Sequence, residues 1–291
     1  MVTKDCFDEG DLRHFEPDGK VGLLATVDPD GLPHVTLITA MQATDTRRLI
    51  FGQFCEGRGK RYAEERRRVG FLFLSLDKRY WRGTADWTGK ARSGPEHELM
   101  NKKPMWRYNS YFGIHTVHYL DLVSTTAAAS VDMGAVVAGA AKAALAGRRA
   151  SLALGLEPHP GAMNPWTRGL ISRLGNLKFV SWIGDDGYPR IAPQLAATCL
   201  GGGRVYLPGA EHGDELAEIR DGASVALFAM ALSMEDVLVR GRFRRTGGRP
   251  GGLPAGRASG CLDVDWVYNS MPPVAERIYP PVRLAEKVTA F

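Results

Sequence analysis

The chain has 291 residues, 44% of them hydrophobic, which is enough for one large or two ordinary domains with a proper core. Its four cysteines lie far apart without a Cys-x-x-Cys pair, which argues against a disulfide framework or a zinc site and favours a reducing compartment. The net charge of +5 and pI of about 9.0 would suit a phosphate-bearing partner, although dispersed charge of this size is also common in ordinary proteins.

Two stretches bear on secretion and membrane attachment. Residues 1–9 are charged and contain no apolar core of the kind found in signal peptides. The longest apolar stretch, 125–146, consists mostly of Ala and Gly and carries Asp132 and Lys142, so it is a poor membrane span. We therefore expect a cytoplasmic protein that does not bind membranes.

Residues 21–76 have the pattern of antiparallel strands joined by hairpins. Apolar and β-branched runs of about four to eight residues alternate with polar breaks, and the first break is the turn at Asp30-Gly31. A basic loop at 56–61 follows the third run. This loop opens a helix that we expect to end at Arg68.

An internal repeat organises the chain. The segment Gly-Leu-Pro-His-Val at 31–35 recurs as Gly-Tyr-Pro-Arg-Ile at 187–191, which is 156 residues later. A constant offset over many positions predicts two copies of one β-rich unit, which we place at 21–123 and 177–266. The same offset aligns residues 49–50 with 205–206 and 69–71 with 225–227.

The residues outside the two copies predict less regular structure. Within the connector, the small residues of 127–154 predict a helix broken by glycines, and residues 275–278 of the tail predict a short helix. Residues 244–259, rich in Gly, Arg and Pro, predict a surface loop. The segments outside the copies are an N-terminal segment at 1–20, the connector at 124–176 and the tail at 267–291.

The loop at 56–61 has the outline of an anion-binding site. Its two glycines let the backbone approach a ligand closely, the helix start offers unpaired N–H groups, and Arg58, Lys60 and Arg61 add positive charge. It is not a Walker A loop, because Arg61 follows Lys60 where Ser or Thr is required. A solvated helix start, in which the following Arg and Glu residues pair with one another, explains the same residues about equally well.

The order of these features resembles a known family. A strand, an Asp-Gly-x-Pro turn at 30–33, two further strands and a loop ending in Lys60 are similar to the FMN-binding split barrel of the pyridoxamine phosphate oxidase-like flavoproteins. The resemblance is strongest over 21–87 and weaker over 177–245. It implies a mainly β fold with some α, in which two split β-barrel repeats pack as an intramolecular pseudo-dimer with FMN in the crevice between them.

The resemblance also implies which residues bind FMN. The second strand of the first copy lines the flavin ring, the end of the third strand passes beside the ring, and the basic loop holds the phosphate. Arg58 departs from the family, which has Ser here, so it either takes over the phosphate contact or indicates that this end of the ligand is bound differently. The implied cofactor-binding residues are His34, Val35, Thr36, Leu37, Gly52, Gln53, Phe54, Arg58, Gly59, Lys60 and Arg61.

The second copy lacks the residues that would hold a phosphate. Asp214, Glu215 and Leu216 stand there in place of the Arg-Gly-Lys of the first copy. Two carboxylates at this position would repel a dianion. We therefore predict one flavin site, built on the first copy and walled by the second.

The implied function is that of an FMN-dependent oxidoreductase of unknown substrate, with NAD(P)H as a candidate electron donor. No catalytic residue is assigned; His34 is a candidate proton donor, with a packing role as the alternative. A second hypothesis is a protein that binds or senses flavin, heme or a deazaflavin without catalysing a reaction, since a fold does not fix a function. The sequence leaves open whether the pseudo-dimer is a monomer or forms a homodimer.

Other classes of function have less support. The Arg-rich segment 242–257 carries no stacking motif, so we expect no nucleic-acid partner. His115 and His118 are three residues apart on an extended segment, which puts them on opposite faces, so we expect structural roles and no metal site. Several aromatic residues are expected in the core rather than at a ligand. They are Trp81, Trp87, Trp106, Tyr108 and Tyr111.

Overall fold

A computed structural model describes residues 3–16, 20–104, 107, 113–134, 136–141, 161–233, 235–246, 259–269 and 276–282. The predicted fold class is confirmed: the chain is mainly β with some helices, and its strands form two curled antiparallel sheets consistent with two split-barrel repeats. Among these residues, no helix is long and apolar enough to cross a membrane.

The first sheet consists of β1 (Thr3–Lys4), β2 (Lys20–Val27), β3 (Pro33–Leu37), β4 (Met41–Ala43), β5 (Arg48–Gln53), β6 (Arg68–Ser75), β7 (Arg79–Ala91), β8 (Thr116–Thr126) and β9 (Ala129–Ser130). The second consists of β10 (Leu177–Ile183), β11 (Pro189–Pro193), β12 (Thr198–Leu200), β13 (Arg204–Leu207), β14 (Ser224–Met230), β15 (Asp236–Thr246), β16 (Ser259–Asn269) and β17 (Glu276–Tyr279). The helices with described bounds are a 3-10 helix (Glu9–Phe15), α1 (Arg58–Arg66), α2 (Pro95–Lys102), α3 (Pro165–Ser172) and α4 (Gly209–Glu218).

The two sheets connect their strands in the same order. The first has the order β3-β2-β6-β7-β8-β5-β4, and the second has the order β11-β10-β14-β15-β16-β13-β12. The 156-residue repeat runs through this pattern, because β3 and β11 begin at Pro33 and Pro189. Gly31 and Gly187 precede these strands with φ values of 77° and 78°, a turn conformation that glycine adopts without strain. The sequence repeat therefore corresponds to a repeated topology.

The central strands bury both of their faces, which explains their continuous apolar runs. In β6, Phe71 and Phe73 point into the core of the first sheet, whereas Leu72 and Leu74 point toward the second sheet. Burying one such side chain fully is worth about 1.5–3 kcal/mol. The core shared by the two sheets comprises Leu23, Ala25, Val35, Leu72, Leu74, Tyr80, Phe179, Ile191, Ala226, Phe228, Met230, Leu238 and Tyr268.

Two sequence predictions about helices are wrong. The helix α1 ends at Arg66 rather than Arg68, because Arg67 adopts a φ of 61° that ends the helix and Arg68 pairs with Asp86 as part of the next strand. The helix expected at 275–278 is absent from its described part, where Glu276–Tyr279 pairs with β16 instead. That end of β16 extends beyond its pairing with β13, so its free backbone groups bind the added strand.

The connector and the glycine-rich loop are described only in part. Ala129–Ser130 pairs with β7 as a strand rather than a helix, and residues 136–141 are helical. Residues 142–160 lie outside the described residues. The predicted loop at 244–259 is shorter at both ends, because β15 continues to Thr246 and β16 begins at Ser259, and 247–258 also lie outside the described residues. Of the aromatic residues expected in the core, Trp81 is fully buried and Trp87 partly buried, whereas Trp106, Tyr108 and Tyr111 fall outside the described part of the chain.

Gly70 provides a test of how closely the two sheets pack. A Cβ at this position would collide with the carbonyl oxygen of Pro189 in the second sheet and would lie 3.3 Å from the Cβ of Ala25. Relief would require the shared core to shift, so we expect Gly70→Ala to lower the free energy of unfolding by about 1–3 kcal/mol in urea denaturation. Gly169→Ala is the matched control, because Gly169 lies in α3 with open space around its Cα, and we expect a change of no more than about 1 kcal/mol, toward higher stability. A Gly70→Ala protein as stable as wild type would contradict this close approach.

Candidate functional site

The start of α1 leaves its backbone N–H groups without a protein cap. The N-cap residue, Gly57, has no side chain to accept their hydrogen bonds, and the first turn contains no acidic residue. Uncapped N–H groups and the positive end of the helix dipole favour an anion at this point. In the described residues, the N-cap of α1 therefore contributes no side-chain hydrogen bond to the N–H groups of the first turn.

Gly59 lets this helix start approach β3 closely. A Cβ at Gly59 would collide with Oγ1 of Thr36, so any larger residue would push α1 away from the strand. The same Oγ1 is buried and has no hydrogen-bond partner among the residues that the structure describes. Thr36 thus brings an unsatisfied hydroxyl to the junction between β3 and α1.

Arg58 connects the helix start to the other sheet. Its side chain is exposed, and its guanidinium lies 4.8 Å from the centroid of the Tyr268 ring on β16. A cation over an aromatic face gains about 0.5–1 kcal/mol at an exposed site. The basic corner of the first sheet therefore faces the second sheet across their junction.

Lys60 is buried beneath the first turn of α1. Its side chain is 7% exposed, and Nζ donates a hydrogen bond to the carbonyl oxygen of Cys55 at 2.7 Å. Burial lowers the pKa of Lys60 from its ordinary value, an effect that nearby Cys55 and Glu56 partly offset. Arg61, by contrast, is exposed and pairs with Glu65 at 3.7 Å. The two cations next to each other in the sequence thus lie in different environments.

His34 lies between the two halves of the site. Its ring meets those of Tyr62 on α1 and Tyr268 on β16 edge to face, at centroid distances of 5.3 and 5.8 Å. Burial, with the charges of Arg240 and Arg58, lowers the pKa of His34 to about 3. The imidazole is therefore neutral at pH 7 and carries no extra proton to donate, which favours its packing role.

The second sheet contributes three side chains that face α1 and that the sequence did not predict at the site. Arg240 on β15 forms an ion pair with Asp28 of the first sheet, and its guanidinium lies 3.8 Å from the centroid of the Trp266 ring. The Trp266 ring stacks on Tyr268 with centroids 5.2 Å apart. No local pattern in the sequence indicated that Arg240, Trp266 and Tyr268 would face α1.

A buried hydrogen-bond chain supports the loop before α1. Trp87 Nε1 donates to His118 Nδ1 at 3.1 Å, which leaves the proton on His118 Nε2 to be donated to Gln53 Oε1 at 2.7 Å. Gln53 Nε2 then donates to Glu56 Oε1 at 3.2 Å. Burial lowers the pKa of His118 to about 4, despite the opposing effect of Glu64. His118 therefore has a structural role, and Gln53 ties the loop to the sheet.

The other predicted residues take different positions. Val35 and Leu37 pack into the shared core, and the N–H of Gly52 donates to the carbonyl of Ala40 at 3.3 Å. Phe54 is 37% exposed, with its ring centroid 5.7 Å from Nζ of Lys60. The structure thus gathers His34, Thr36, Arg58 and Gly59 at one junction, with Lys60 below it. In the described part of the chain, no cluster of three or more His, Cys, Asp or Glu side chains is suited to a metal ion.

Comparison with known proteins gives structural neighbours only. No protein-family model matches the chain, and no curated protein matches it. Similar solved structures include an FMN-binding protein from Syntrophomonas wolfei (15% identity, 42% of this chain and 84% of that one, TM-score 0.35), an F420 reductase (19%, 41% and 98%, 0.33) and an FAD-binding protein from Mesorhizobium loti (14%, 45% and 99%, 0.30). At these values the likenesses do not establish a family for this chain.

The neutral state of His34 predicts how stability depends on pH. The pKa of His34 falls from 6.5 to about 3 on folding, so its contribution to stability is complete above pH 6.5 and is lost as the pH falls toward 3. Comparing wild type with His34→Gln in urea, we expect the wild-type free energy of unfolding to fall more steeply between about pH 6 and 4, by up to about 1.4 kcal/mol per pH unit. His115→Gln, which changes an exposed histidine, is the control. Parallel curves for wild type and His34→Gln would contradict a buried neutral imidazole.

Proposed function

We propose that this chain is a flavin-binding protein that holds the phosphate of FMN at the start of α1, between the two sheets. The observation that carries the proposal is a helix start with no cap and no acidic residue in its first turn, next to Arg58 and Lys60 and facing the second sheet. The sequence resemblance to FMN-binding split barrels, centred on the same residues, supports it independently.

The donors at this corner suit a phosphate dianion. The N–H groups of the first turn supply directed hydrogen bonds, and Arg58 adds a guanidinium that can bind two oxygens at once. Lys60, held by Cys55, places a positive charge below the turn rather than in solvent. Hydrogen bonds to charged groups are typically worth about 1.5–3 kcal/mol each, so two or three would give useful affinity. Arg58 thus takes the role that Ser has in the family.

The surroundings of the corner suit an aromatic ring system. Tyr62 on α1 and Trp266 and Tyr268 on β16 place aromatic rings next to β3, and Thr36 adds an unsatisfied hydroxyl. A flat ligand with apolar faces and polar edges would be stabilised by stacking and by single hydrogen bonds. The second sheet supplies most of this surface, which supports a site that needs both halves.

A bound flavin would supply hydride or electron transfer, and the protein would supply placement and electrostatics. Arg58 and Lys60 add positive charge at the start of α1, which favours an anionic ligand. His34 is neutral and buried, so it packs against Tyr62 and Tyr268 rather than transferring a proton. We propose an oxidoreductase acting on a small molecule, with NAD(P)H as the candidate electron donor.

The charge of the corner predicts which substitutions weaken FMN binding. Arg58→Ala should lower the affinity for FMN about tenfold to hundredfold, because it removes a charge-assisted contact. Asp214→Ala is the matched control, since Asp214 is the exposed residue at the equivalent position of the second copy. Lys60→Met, which keeps a long apolar side chain in the buried position, tests the second charge. Quenching of flavin fluorescence measures all three, and equal effects of Arg58→Ala and Asp214→Ala would count against the site.

The ligand that co-purifies distinguishes the two functional hypotheses. We expect yellow protein with a flavin absorption spectrum and, after denaturation, a released compound with the mass of FMN. A heme or deazaflavin spectrum would show that the protein binds that cofactor instead of FMN. Bleaching of the flavin by NAD(P)H without oxygen would support an oxidoreductase, whereas a flavin that stays oxidised with this donor would favour a binding or sensing role.

A further inference from the structure

The second copy contains a region equivalent to the start of α1, where we place the flavin phosphate. The side chain of Glu215 occupies this region. Glu215, which aligns with Gly59, lies in the turn of α4 that follows a kink at His212, rather than at Gly209 where the helix begins. One oxygen of its carboxylate lies 2.7 Å from Nη2 of Arg82 in the first sheet and 3.6 Å from Nδ1 of His212. The side chains of Arg82 and Glu215 are only 13% and 11% exposed, so this is a largely buried ion pair between the two halves.

The two corners differ in the source of the anion. In the second, Glu215 brings a negative charge to a helix start and pairs with an arginine from the opposite sheet. In the first, position 59 has no side chain, and Arg240, which lies on the strand equivalent to that of Arg82, pairs with Asp28 rather than with any residue of α1. The first helix start thus lacks the anion that the second one contains.

We propose that the second copy retains an anion-binding pocket for a phosphate group, formed by Arg82, His212 and the turn of α4 that follows its kink, which the carboxylate of Glu215 occupies in place of a ligand. This carboxylate links a helix start to an arginine of the other half, as the phosphate of a ligand would do at the first corner. The pocket therefore restricts the chain to one phosphate-bearing ligand.

The electrostatics of the pocket agree with an anion held in place. Burial by itself would raise the pKa of Glu215, but the nearby His212 and the charge of Arg82 lower it to about 2. Nε of Arg82 is buried without a hydrogen-bond partner in the described residues, and Nη1 reaches the carbonyl of Ile191 at only 3.4 Å. An anion with more oxygen atoms than a carboxylate would find unused donors here.

Opening the pocket tests this inference with inorganic phosphate as the probe. We expect Glu215→Gly, which recreates the glycine of the first copy, to bind one more phosphate per chain than wild type in isothermal titration calorimetry. Adding Arg82→Ala to this variant should lower the affinity of the extra phosphate about tenfold or more. Glu215→Gln is the matched control, because it keeps the side-chain volume and should bind no extra phosphate.

Each outcome of the titration either supports or overturns the proposed phosphate pocket. A folded Glu215→Gly protein that binds no more phosphate than wild type overturns the proposal, as does extra binding that survives Arg82→Ala. If Glu215→Gly is unfolded in phosphate-free buffer, refolding on addition of phosphate supports the pocket, and failure to refold overturns it. The measured quantity is the number of phosphates bound per chain relative to wild type, so it does not depend on whether the start of α1 binds flavin. The variants of Arg58 and Lys60 test flavin binding separately.

Discussion

The apolar contact between the two sheets is the interaction on which the rest of this structure depends. β2 and β6 of the first sheet and β10 and β14 of the second direct alternate side chains into this contact. Without it, each sheet would expose a full face of Leu, Phe and Ile side chains to water, a cost of many kcal/mol at about 25 cal/mol per Å². The same contact sets the distance between α1 and the strands β15 and β16, so it also forms the candidate site.

Ion pairs at the edges of the contact orient the two sheets. Arg240 with Asp28, and Arg82 with Glu215, each join one half to the other at largely buried positions. Such pairs add little net stability, because desolvation of the charges offsets their attraction, but a mismatched arrangement would leave a charge buried and unpaired. They therefore select one arrangement of the halves. They also differ in one respect: only the second corner uses an acidic residue of its own helix.

This difference distinguishes the two halves, which share one strand order. Replacing the glycine at one helix start with glutamate fills the space next to the strand and supplies the negative charge. Because Glu215 belongs to the chain itself, Arg82 has a partner without any bound ligand. The first corner, with Gly59 and Thr36 in close contact and Arg58 over Tyr268, keeps its N–H groups uncapped. At the positions 59 and 215 that the sequence aligns, the fold thus places a glycine against Thr36 in one half and a glutamate paired with Arg82 in the other.

The sequence by itself determined the strands, the repeat and the basic helix start, because these depend on local periodicity, turn glycines and a constant spacing. The helix end at Arg66 and the strand at Glu276–Tyr279 were missed, since a backbone conformation at Arg67 and an open edge of β16 decide them. Only the tertiary structure placed Arg240, Trp266 and Tyr268 opposite α1, buried Lys60 against Cys55 and made His34 neutral. Those features depend on contacts between residues more than 170 positions apart or on burial, and neither is encoded in a local pattern.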